Sequence, residues 1–340
     1  MIVVMRKGAT EQGIEEVTKR AKELGFDTQT IVGKEKVVIG ILGIRTSDIS
    51  TDTFKILPEV EEVIRIKYPF KLASREFKPE DTIVKVNNLE IGGKTVVVMA
   101  GPCAVETEEQ VLSTAKLVKS CGAKVLRGGA YKPSTSPFGF RGLGKEGLEI
   151  LALAKKETGM PIITEVLDPK DVEMVAAYVD ILQIGTRNIQ NFPLLEAVGR
   201  TKHPVLLKRG FGSTIEEWLQ AADYILSLRK NSPQLIICER GIRTFSTSTR
   251  FTLDISAVPV VEDISHLPII IDPSHAAGYW KYVPALAKAG IAAGADGLLI
   301  EVHPDPKKAQ KDGPQSLTFS DFSRLMRELK LIAQAIGREI

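Results

Sequence analysis

Cysteine is scarce in this chain, and so are tryptophan and histidine. The 340 residues include only three cysteines, two tryptophans and four histidines. So few cysteines exclude a disulfide framework, and each thiol is therefore either core filler or a reactive or metal-binding group. Cys103 stands out because it lies in the segment AGPCAVE, whereas Cys121 and Cys238 fall at a predicted helix end and within a predicted strand.

Long apolar runs and a large charge excess are also lacking. No apolar stretch approaches the roughly 20 residues that a membrane span requires, and Met1 is followed directly by a strand pattern with no signal-like segment. The 45 basic and 42 acidic residues leave a net charge of +3, which gives no reason to expect nonspecific binding to nucleic acid or to an anionic membrane. We expect a cytoplasmic protein whose basic patches are local.

The first 68 residues predict a small domain of the ferredoxin-like type. The order of elements is βαββαβ, with strands at residues 1–7, 27–33, 36–43 and 59–67 and helices at residues 11–24 and 46–57. Residues 69–81 then predict a linker, since they contain prolines and mixed charge without a clear period. Small domains of this type often bind amino acids or pair between subunits, although the pattern alone fixes no purpose.

Residues 82–340 predict a closed barrel. After a hairpin at residues 82–94, eight short apolar strands are predicted at residues 95–101, 124–129, 161–166, 180–186, 204–210, 234–241, 267–274 and 297–303. Helices are predicted at residues 107–121, 145–158, 169–178, 192–199, 215–230, 251–258, 282–293 and 319–336. Eight strand–helix units with strands buried on both faces are typical of a TIM (β/α)8 barrel. No GxGxxG fingerprint follows the first strand, which disfavours an open dinucleotide-binding sheet.

Nearly every predicted barrel strand ends in a residue that can take part in chemistry. The active site of a TIM barrel forms at the carboxyl ends of its strands, so we expect these side chains to meet at one mouth. In strand order they are Cys103, Arg127, Glu165, Arg187, Lys208, Arg240, the segment DPSH at residues 272–275, and Glu301 with His303.

One subset of the candidate residues at this mouth is cationic, and it includes Lys132 of the loop that follows Arg127. Five cations around one mouth repel one another unless anions bind there, and the five are Arg127, Lys132, Arg187, Lys208 and Arg240. Arginine and lysine suit phosphate and carboxylate ligands. Lys132 lies in the loop LRGGAYKPSTSP, whose glycines allow the backbone to approach such a ligand.

A second subset has the chemistry of metal ligands. Its members are Cys103, His275, Glu301 and Asp312, the last in the loop KDGPQS. Sulfur, imidazole nitrogen and carboxylate oxygen suit Mn, Fe, Co, Zn or Cu, and the sequence does not choose among these ions. The scattered spacing is a weaker signal than a C-x-x-C pair.

Eight segments together closely resemble the 3-deoxy-D-arabino-heptulosonate 7-phosphate (DAHP) synthases. They are AGPCAVE, LRGGAYKPSTSP, QIGTRNIQN, LLKRG, CERGIRTF, DISAVP, SHLPIIIDPSH and EVHPDP. The similarity runs from about Val86 to the C-terminus, and the leading domain resembles that of the feedback-regulated type I beta members. The family condenses phosphoenolpyruvate with erythrose 4-phosphate at the entry to aromatic amino acid synthesis, using a divalent metal and releasing phosphate.

The resemblance implies roles for both subsets. The metal ligands would be Cys103, His275, Glu301 and Asp312, and the five cations would surround phosphoenolpyruvate. Ser134 and Thr135 would meet the phosphate of the sugar. The catalytic candidates are Lys132, for proton delivery near the aldehyde, and Glu165 or His303, for the water that attacks carbon 2.

The chain departs from the family in the loop after Lys132. It reads KPST where the common motif is Lys-Pro-Arg-Thr, so Ser134 replaces the arginine that would pair with the sugar phosphate. A hydroxyl donates a hydrogen bond but supplies no charge. We hypothesise that Arg141 supplies part of the lost charge.

Three other functions stay open. A 3-deoxy-octulosonate 8-phosphate synthase, which uses arabinose 5-phosphate, has a similar barrel, although its loop usually reads Lys-Ala-Asn-Arg. A Schiff-base aldolase would use Lys208 or Lys132 as its amine. A noncatalytic amino acid sensor would use the small domain as its working part.

Regulation is the role that the resemblance implies for the small domain. We hypothesise that residues 1–67 bind tyrosine or phenylalanine between subunits and close over the mouth of the barrel. Related proteins are commonly tetramers, so we expect a homotetramer.

Overall fold

The small N-terminal domain is a four-stranded antiparallel sheet with two helices. The computed structural model describes residues 1–33, 36–43, 46–65, 68–134, 136–229 and 232–340. The strands are β1 (Ile2–Met5), β2 (Asp27–Val32), β3 (Val37–Leu42) and β4 (Val60–Ile64), in the spatial order β2-β3-β1-β4. The helices are α1 (Glu11–Glu23) and α2 (Asp52–Lys55). The ferredoxin-like arrangement is confirmed.

The second helix of this domain is shorter than predicted. Residues 46–57 contain a 3₁₀ turn at Thr46–Asp48 and, separately, the single-turn helix α2. Between them the Ser50 hydroxyl accepts a hydrogen bond from the backbone N–H of Asp52 at 3.2 Å. Serine side chains compete in this way with the helical backbone pattern, which explains the break.

A two-stranded hairpin and a closed barrel of eight parallel strands form the rest of the chain. The hairpin strands are β5 (Val84–Val86) and β6 (Leu89–Ile91). The barrel strands are β7 (Val97–Gly101), β8 (Val125–Arg127), β9 (Ile162–Glu165), β10 (Ile181–Ile184), β11 (Val205–Lys208), β12 (Leu235–Glu239), β13 (Ile269–Ile271) and β14 (Gly297–Glu301). Strand β14 pairs with β7 and closes the barrel, so the predicted TIM architecture is confirmed.

Helices follow the barrel strands, and most of them cover the outside of the barrel. They are α3 (Glu108–Ser120), α4 (Lys145–Thr158), α5 (Val172–Ala176), α6 (Phe192–Gly199), α7 (Ile215–Leu226), α8 (Ala257–Ile264), α9 (Pro273–Ala277), α10 (Val283–Ala292) and α11 (Phe319–Ala335). Helix α5 follows a 3₁₀ turn at Pro169–Asp171, which divides the helix predicted at residues 169–178. Among these helices of the described chain, none combines the length and apolarity needed to cross a membrane.

The helix predicted at residues 251–258 is wrong in its position. Helix α8 begins at Ala257, because the preceding residues are held outside any helix. Thr252 forms an isolated bridge with Ile242, and the Asp254 carboxylate accepts a hydrogen bond from Arg209 at 2.9 Å.

Alternation along the strands decides which side chains reach the mouth. In β11, Leu206 belongs to the cluster inside the barrel, while Val205 and Leu207 pack against the outer layer. Since side chains in a strand alternate with a period of two, the residue two positions after an inward apolar residue also points inward. Lys208 therefore follows Leu206 into the mouth, and the hairpin residues Val84, Val86 and Ile91 complete the interior core.

The small domain and the linker pack against the barrel's flank. Gly40 of β3 faces the ring of Phe77, and an added Cβ there would lie 2.6 Å from that ring. The Asp223 carboxylate of α7 accepts backbone hydrogen bonds from Lys71 and Ala73. These contacts involve α7 and the linker, away from the carboxyl ends of the strands.

Candidate active site at the mouth of the barrel

A cavity of about 300 Å³ opens at the carboxyl ends of the barrel strands. Its walls include eight residues that the sequence singled out: Lys132, Ser134, Glu165, Arg187, Lys208, Arg240, His275 and Asp312. Cys103, Arg127 and Glu301 lie buried beneath them. Eleven of the predicted site residues are thus brought to one end of the barrel.

A thiol and two carboxylates meet at the base of this cavity. Ligand atoms of Cys103, Glu301 and Asp312 lie within 4.8 Å of one another. The Cys103 thiol donates a hydrogen bond to Oδ2 of Asp312 at 3.3 Å. His275 lies outside this tight group, although its Nε2 is 3.5 Å from Oε1 of Glu301. The proposed ligand set is therefore adjacent in space, with the imidazole at its edge.

Neighbouring side chains fix the orientation of Glu301 and His275. Arg127 donates to Oε1 of Glu301 at 3.0 Å, and Gln315 donates to Oε2 at 2.6 Å. Nδ1 of His275 is 2.7 Å from Oδ2 of Asp272. An imidazole held in this way through one nitrogen presents its other nitrogen for ligation.

The electrostatics of the base favour ionised carboxylates beside a protonated thiol. Burial raises the pKa of the Cys103 thiol well above its usual range, and Glu301 adds to this effect. Burial alone would raise the pKa of Asp312, but His275 and Arg250 lower it to about 2. Burial lowers the pKa of His275 despite the opposing charge of Asp272, which favours a neutral ring. A neutral imidazole and ionised carboxylates suit a cation, which would also favour the thiolate.

Among the described residues, carboxylates of the protein balance at least three of the five predicted cations. Nζ of Lys208 is 2.5 Å from Oδ2 of Asp272, and Nζ of Lys132 is 4.0 Å from Oε2 of Glu165. Arg127 pairs with Glu301. The expectation that all five cations repel one another unless a ligand binds is therefore wrong, because buried ionic groups are paired within the fold.

Aromatic rings lie beside Arg187 and Arg240. The Arg240 guanidinium lies 4.0 Å from the ring centre of Phe251, and those of Arg187 and Arg240 lie 5.3 and 5.1 Å from that of Phe211. Burial lowers the pKa of Arg240 to about 10, so the group is still charged at neutral pH. Within the described residues no carboxylate lies within 4 Å of Arg240, which leaves its charge for a ligand in the cavity.

Glycine in the loop after β8 permits close packing around Lys132. A Cβ at Gly129 would lie 2.8 Å from the carbonyl oxygen of Cys103 and would collide with the Lys132 side chain. Lys132 is itself only 6 % exposed, so its stem is packed and its ammonium is fixed in the cavity wall. Glycine at this position thus makes room for Lys132, and the approach of the loop backbone to a ligand stays a prediction.

Two predicted residues do not join the cavity, and a third is not described. His303 is buried, with Nε2 3.5 Å from Oε2 of Glu106, and is absent from the cavity wall. Arg141 is exposed and donates to the carbonyl oxygen of Pro137 at 3.4 Å, so the geometry gives it no role at the cavity. Thr135 lies outside the described residues.

Three site residues were not singled out from the sequence, Gln315, Arg250 and Lys311, and Asp272 was named there without a role. Asp272 lay within the DPSH segment, and its inward direction follows from its spacing of two after the inward Ile270. Arg250 donates to Asp312 at 3.2 Å and to Gln315 at 2.8 Å. Lys311 reaches Ser134. Loop spacing carries no signal for these last contacts, since they depend on tertiary structure.

Family models match nearly the whole chain. The model described as the DAHP synthetase I family matches residues 80–336, and the DAHP synthase ferredoxin-like domain matches residues 1–68. A phospho-2-dehydro-3-deoxyheptonate aldolase of Thermotoga maritima is 48% identical over 340 residues, covering 100% of both chains. A 2-dehydro-3-deoxyphosphooctonate aldolase of Francisella tularensis is 32% identical over 266 residues, covering 72% of this chain and 96% of the relative.

Solved structures agree with these matches. The crystal structure of the Thermotoga maritima DAHP synthase has 49% identity and a TM-score of 0.79, covering 99% of this chain and 98% of that chain. A truncated form of the Thermotoga maritima enzyme has 48% identity and a TM-score of 0.74, covering 79% of this chain and 98% of that chain. The chain therefore belongs to the DAHP synthetase I family and carries the ferredoxin-like domain of DAHP synthases at its N-terminus.

Proposed function

We propose that the cavity at the mouth of the barrel is where this member of the family joins phosphoenolpyruvate to erythrose 4-phosphate. The family's reaction gives 3-deoxy-D-arabino-heptulosonate 7-phosphate and phosphate, the first step of the shikimate pathway. One observation carries the proposal: four of the five predicted cations line a cavity whose base is the cluster of Cys103, Glu301 and Asp312. Such a cavity accommodates phosphorylated anions beside a cation site.

Phosphoenolpyruvate would bind on the side of β10 to β12. Arg187, Lys208 and Arg240 follow these three neighbouring strands and line the cavity together. Phe211 stacks near both guanidinium groups and so restrains their planes. Guanidinium groups in fixed planes suit the phosphate and carboxylate of an enol phosphate.

The residues at the base fit a divalent metal. The donors are a buried thiol, two carboxylates and, at 3.5 Å from one of them, a neutral imidazole. This mixture of sulfur, nitrogen and oxygen suits a transition ion. When bound there, such an ion would supply Lewis acidity at the aldehyde oxygen. We propose Cys103, His275, Glu301 and Asp312 as the residues that hold it.

Lys132 and Glu165 are placed to handle protons. Burial alone would lower the pKa of Lys132, but Cys103 and Glu165 raise it, so the ammonium stays protonated at neutral pH. As carbon 3 of the enol phosphate bonds to the aldehyde carbon, the Lys132 ammonium can donate a proton to the aldehyde oxygen. Glu165 can accept a proton from the water that adds to carbon 2, before the carbon–oxygen bond to phosphate breaks. We assign this proton transfer to Glu165 and not to His303, because His303 is absent from the cavity wall.

The geometry disfavours a Schiff-base aldolase. A Schiff-base lysine needs an unprotonated amine, which a depressed pKa provides. Lys132 has a raised pKa, and Lys208 is only 2.5 Å from the Asp272 carboxylate. Treatment with borohydride and a carbonyl substrate should therefore label neither lysine.

One assay tests the reaction and the choice of aldehyde. Phosphate release from phosphoenolpyruvate is measured with erythrose 4-phosphate and with arabinose 5-phosphate in parallel. Faster release with erythrose 4-phosphate supports the proposal, and faster release with arabinose 5-phosphate supports an octulosonate synthase. If tyrosine or phenylalanine binds but no phosphate is released with either aldehyde, the chain is an amino acid sensor.

Metal removal tests the cluster. Chelation should abolish phosphate release and added Mn²⁺ should restore it, whereas full activity in excess chelator would contradict the metal site. Cys103→Ser should lose activity severely and bind less Mn²⁺ in equilibrium dialysis, because it removes a soft ligand. Cys121→Ser is the matched control, since this half-buried thiol contacts Ser323 away from the cavity, and it should keep both properties.

The small domain is proposed to be regulatory. Residues 1–68 would bind tyrosine or phenylalanine at an interface between subunits of a homotetramer. Within one chain this domain packs on the barrel's flank, so closure over a mouth requires the domain of another subunit. Phe138 and Phe245, which lie on loops that follow β8 and β12, are 97 % and 99 % exposed, and such apolar surface favours a covering partner. The phosphorylated substrates support a cytoplasmic location.

A further inference from the structure

Two groups of polar residues in the cavity wall belong to opposite arcs of the barrel. Arg187, Lys208 and Arg240 follow the consecutive strands β10, β11 and β12. Ser134 and Lys311 follow β8 and β14, which both neighbour β7. Lys311 therefore lies across the mouth from the three cations that we assign to phosphoenolpyruvate. It directly precedes Asp312, a member of the cluster of Cys103, Glu301 and Asp312.

The Lys311 ammonium contacts a neutral partner. Its Nζ donates a hydrogen bond to Oγ of Ser134 at 2.9 Å. Among the described residues, no carboxylate lies within 4 Å of this Nζ. Arg250, another cation of the cavity wall, differs because Asp312 lies 3.2 Å from its guanidinium. The charge of Lys311 is thus available to an anion in the cavity.

The Ser134 hydroxyl is arranged to contact the same anion. Because its oxygen accepts from Lys311, its own proton remains for donation elsewhere. Gly139 keeps the space beside both groups open, since an added Cβ would collide with Oγ of Ser134 and lie 3.5 Å from Nζ of Lys311. An ammonium and a hydroxyl that flank open space form a small site for a phosphate group.

We propose that Lys311 and Ser134 bind the phosphate of the aldehyde substrate, and that Lys311 supplies the charge missing from the segment KPST. This inference rests on the proposed function. The cation reaches the phosphate from the loop after β14, across the mouth from Lys208, so that the two phosphates of the reaction are held apart.

The test compares an aldehyde with and without its phosphate. In Lys311→Met, kcat/KM for erythrose 4-phosphate should fall about 10- to 100-fold, the range expected for a lost charged hydrogen bond. With unphosphorylated erythrose it should change less than about twofold, because the deleted contact is absent from that substrate. The KM for phosphoenolpyruvate should stay constant. Lys307→Met, an exposed lysine of the same loop, is the matched control and should behave as the wild type.

Two further variants separate a charge effect from a change in shape. Lys311→Arg should keep most of the activity, because it keeps the cation. Adding Ser134→Arg to Lys311→Met should recover at least part of the loss, since it returns a cation to the same phosphate from the neighbouring loop after β8. The Mn²⁺ concentration for half-maximal activity should be the same in Lys311→Met and the wild type, which shows that Asp312 is undisturbed.

The outcomes distinguish this inference from the proposed function. If the wild type releases no phosphate with erythrose 4-phosphate, both are wrong. If the wild type is active and Lys311→Met is equally active, only the role of Lys311 is overturned. An equal loss with both aldehydes, or a shifted Mn²⁺ requirement, also overturns it, because either result indicates damage to the reacting centre.

Discussion

Asp272 shows how a single carboxylate organises two parts of the site. Its Oδ2 lies 2.5 Å from Nζ of Lys208 and 2.7 Å from Nδ1 of His275. Burial would raise the pKa of Asp272, but His275 and Lys208 hold it well below its usual range. The negative charge therefore positions a proposed substrate contact and a proposed metal ligand together.

Removing this charge should affect both functions. Asp272→Asn keeps an oxygen for the backbone N–H of His275 but removes the carboxylate. We expect kcat/KM to fall by about 10- to 100-fold, as is typical when a residue that supports a metal ligand is changed. The KM for phosphoenolpyruvate and the Mn²⁺ requirement should both rise, as measured by steady-state assays of phosphate release.

Asp296→Asn is the matched control for this prediction. Asp296 accepts a hydrogen bond from Ile269 at the start of β13 and pairs with Arg338, at the end of the barrel opposite the mouth. Its variant should keep the wild-type kinetics. Unchanged kinetics in Asp272→Asn would show that the carboxylate has no influence on the site.

At the scale of elements, the linker is held to the barrel through His266. Nε2 of His266 is 2.8 Å from the carbonyl oxygen of Leu72, and Nδ1 is 2.8 Å from Oγ1 of Thr82. A carbonyl oxygen only accepts, so Nε2 donates, and in the neutral ring Nδ1 accepts from Thr82. One ring thus joins two points of the linker region to the segment between α8 and β13.

This contact should weaken in acid. Burial lowers the pKa of His266 to about 4, with Lys78 and Arg75 also opposing the charged ring. The unfolded chain therefore binds a proton below about pH 6.5 that the folded chain does not bind until about pH 4. The stability that the neutral ring contributes is therefore present above pH 6.5 and is lost as the pH falls to 4. The resulting decrease in the free energy of unfolding is at most about 3 kcal/mol.

The measurement is the free energy of unfolding by urea between pH 7 and pH 4, in the wild type and in His266→Gln. The difference in the free energy of unfolding between the wild type and His266→Gln should decrease as the pH falls. Asp223 titrates with the opposite sign, because burial raises its pKa to about 6, but it is present in both proteins and cancels. A difference that is independent of pH would contradict the prediction.

At the scale of the molecule, the barrel should function without the small domain. The eight strands close on themselves through the pairing of β14 with β7, so removal of residues 1–67 leaves no barrel edge unpaired. We expect the shortened chain to release phosphate at a rate similar to the full chain. It should be insensitive to tyrosine and phenylalanine, because the proposed site for them is gone.

Assays of phosphate release with and without each amino acid check this prediction, and sedimentation velocity reports the oligomeric state. The shortened chain should be less stable than the full chain, since it exposes the ring of Phe77 that β3 covers. Inhibition that persists after the deletion would place the inhibitor site on the barrel. An inactive but folded barrel would show that the small domain completes the active site.

The order of elements was readable from the sequence because hydrophobic periodicity is a local property. The eight apolar strands predicted the barrel, and the place of the active site at the carboxyl ends of such strands predicted that Arg127, Glu165 and Lys208 meet at one mouth. Glu165 and Lys208 line the cavity there, and Arg127 is buried beneath it. The error at residues 251–258 arose where a bridge between Thr252 and Ile242 overrides a helical pattern. Tertiary contacts of this kind leave no local period.

The sequence by itself determined which chemical groups stand at the carboxyl ends of the barrel strands, such as Arg127, Glu165 and Lys208, because strand ends follow from local apolar runs. Only the tertiary structure decided how they pair. Lys208 meets Asp272 across 64 residues of chain, and Lys311 meets Ser134 across 177. Those pairs depend on the closure of the barrel and on the paths of its loops, which are set by packing over the whole domain rather than by neighbours in the chain.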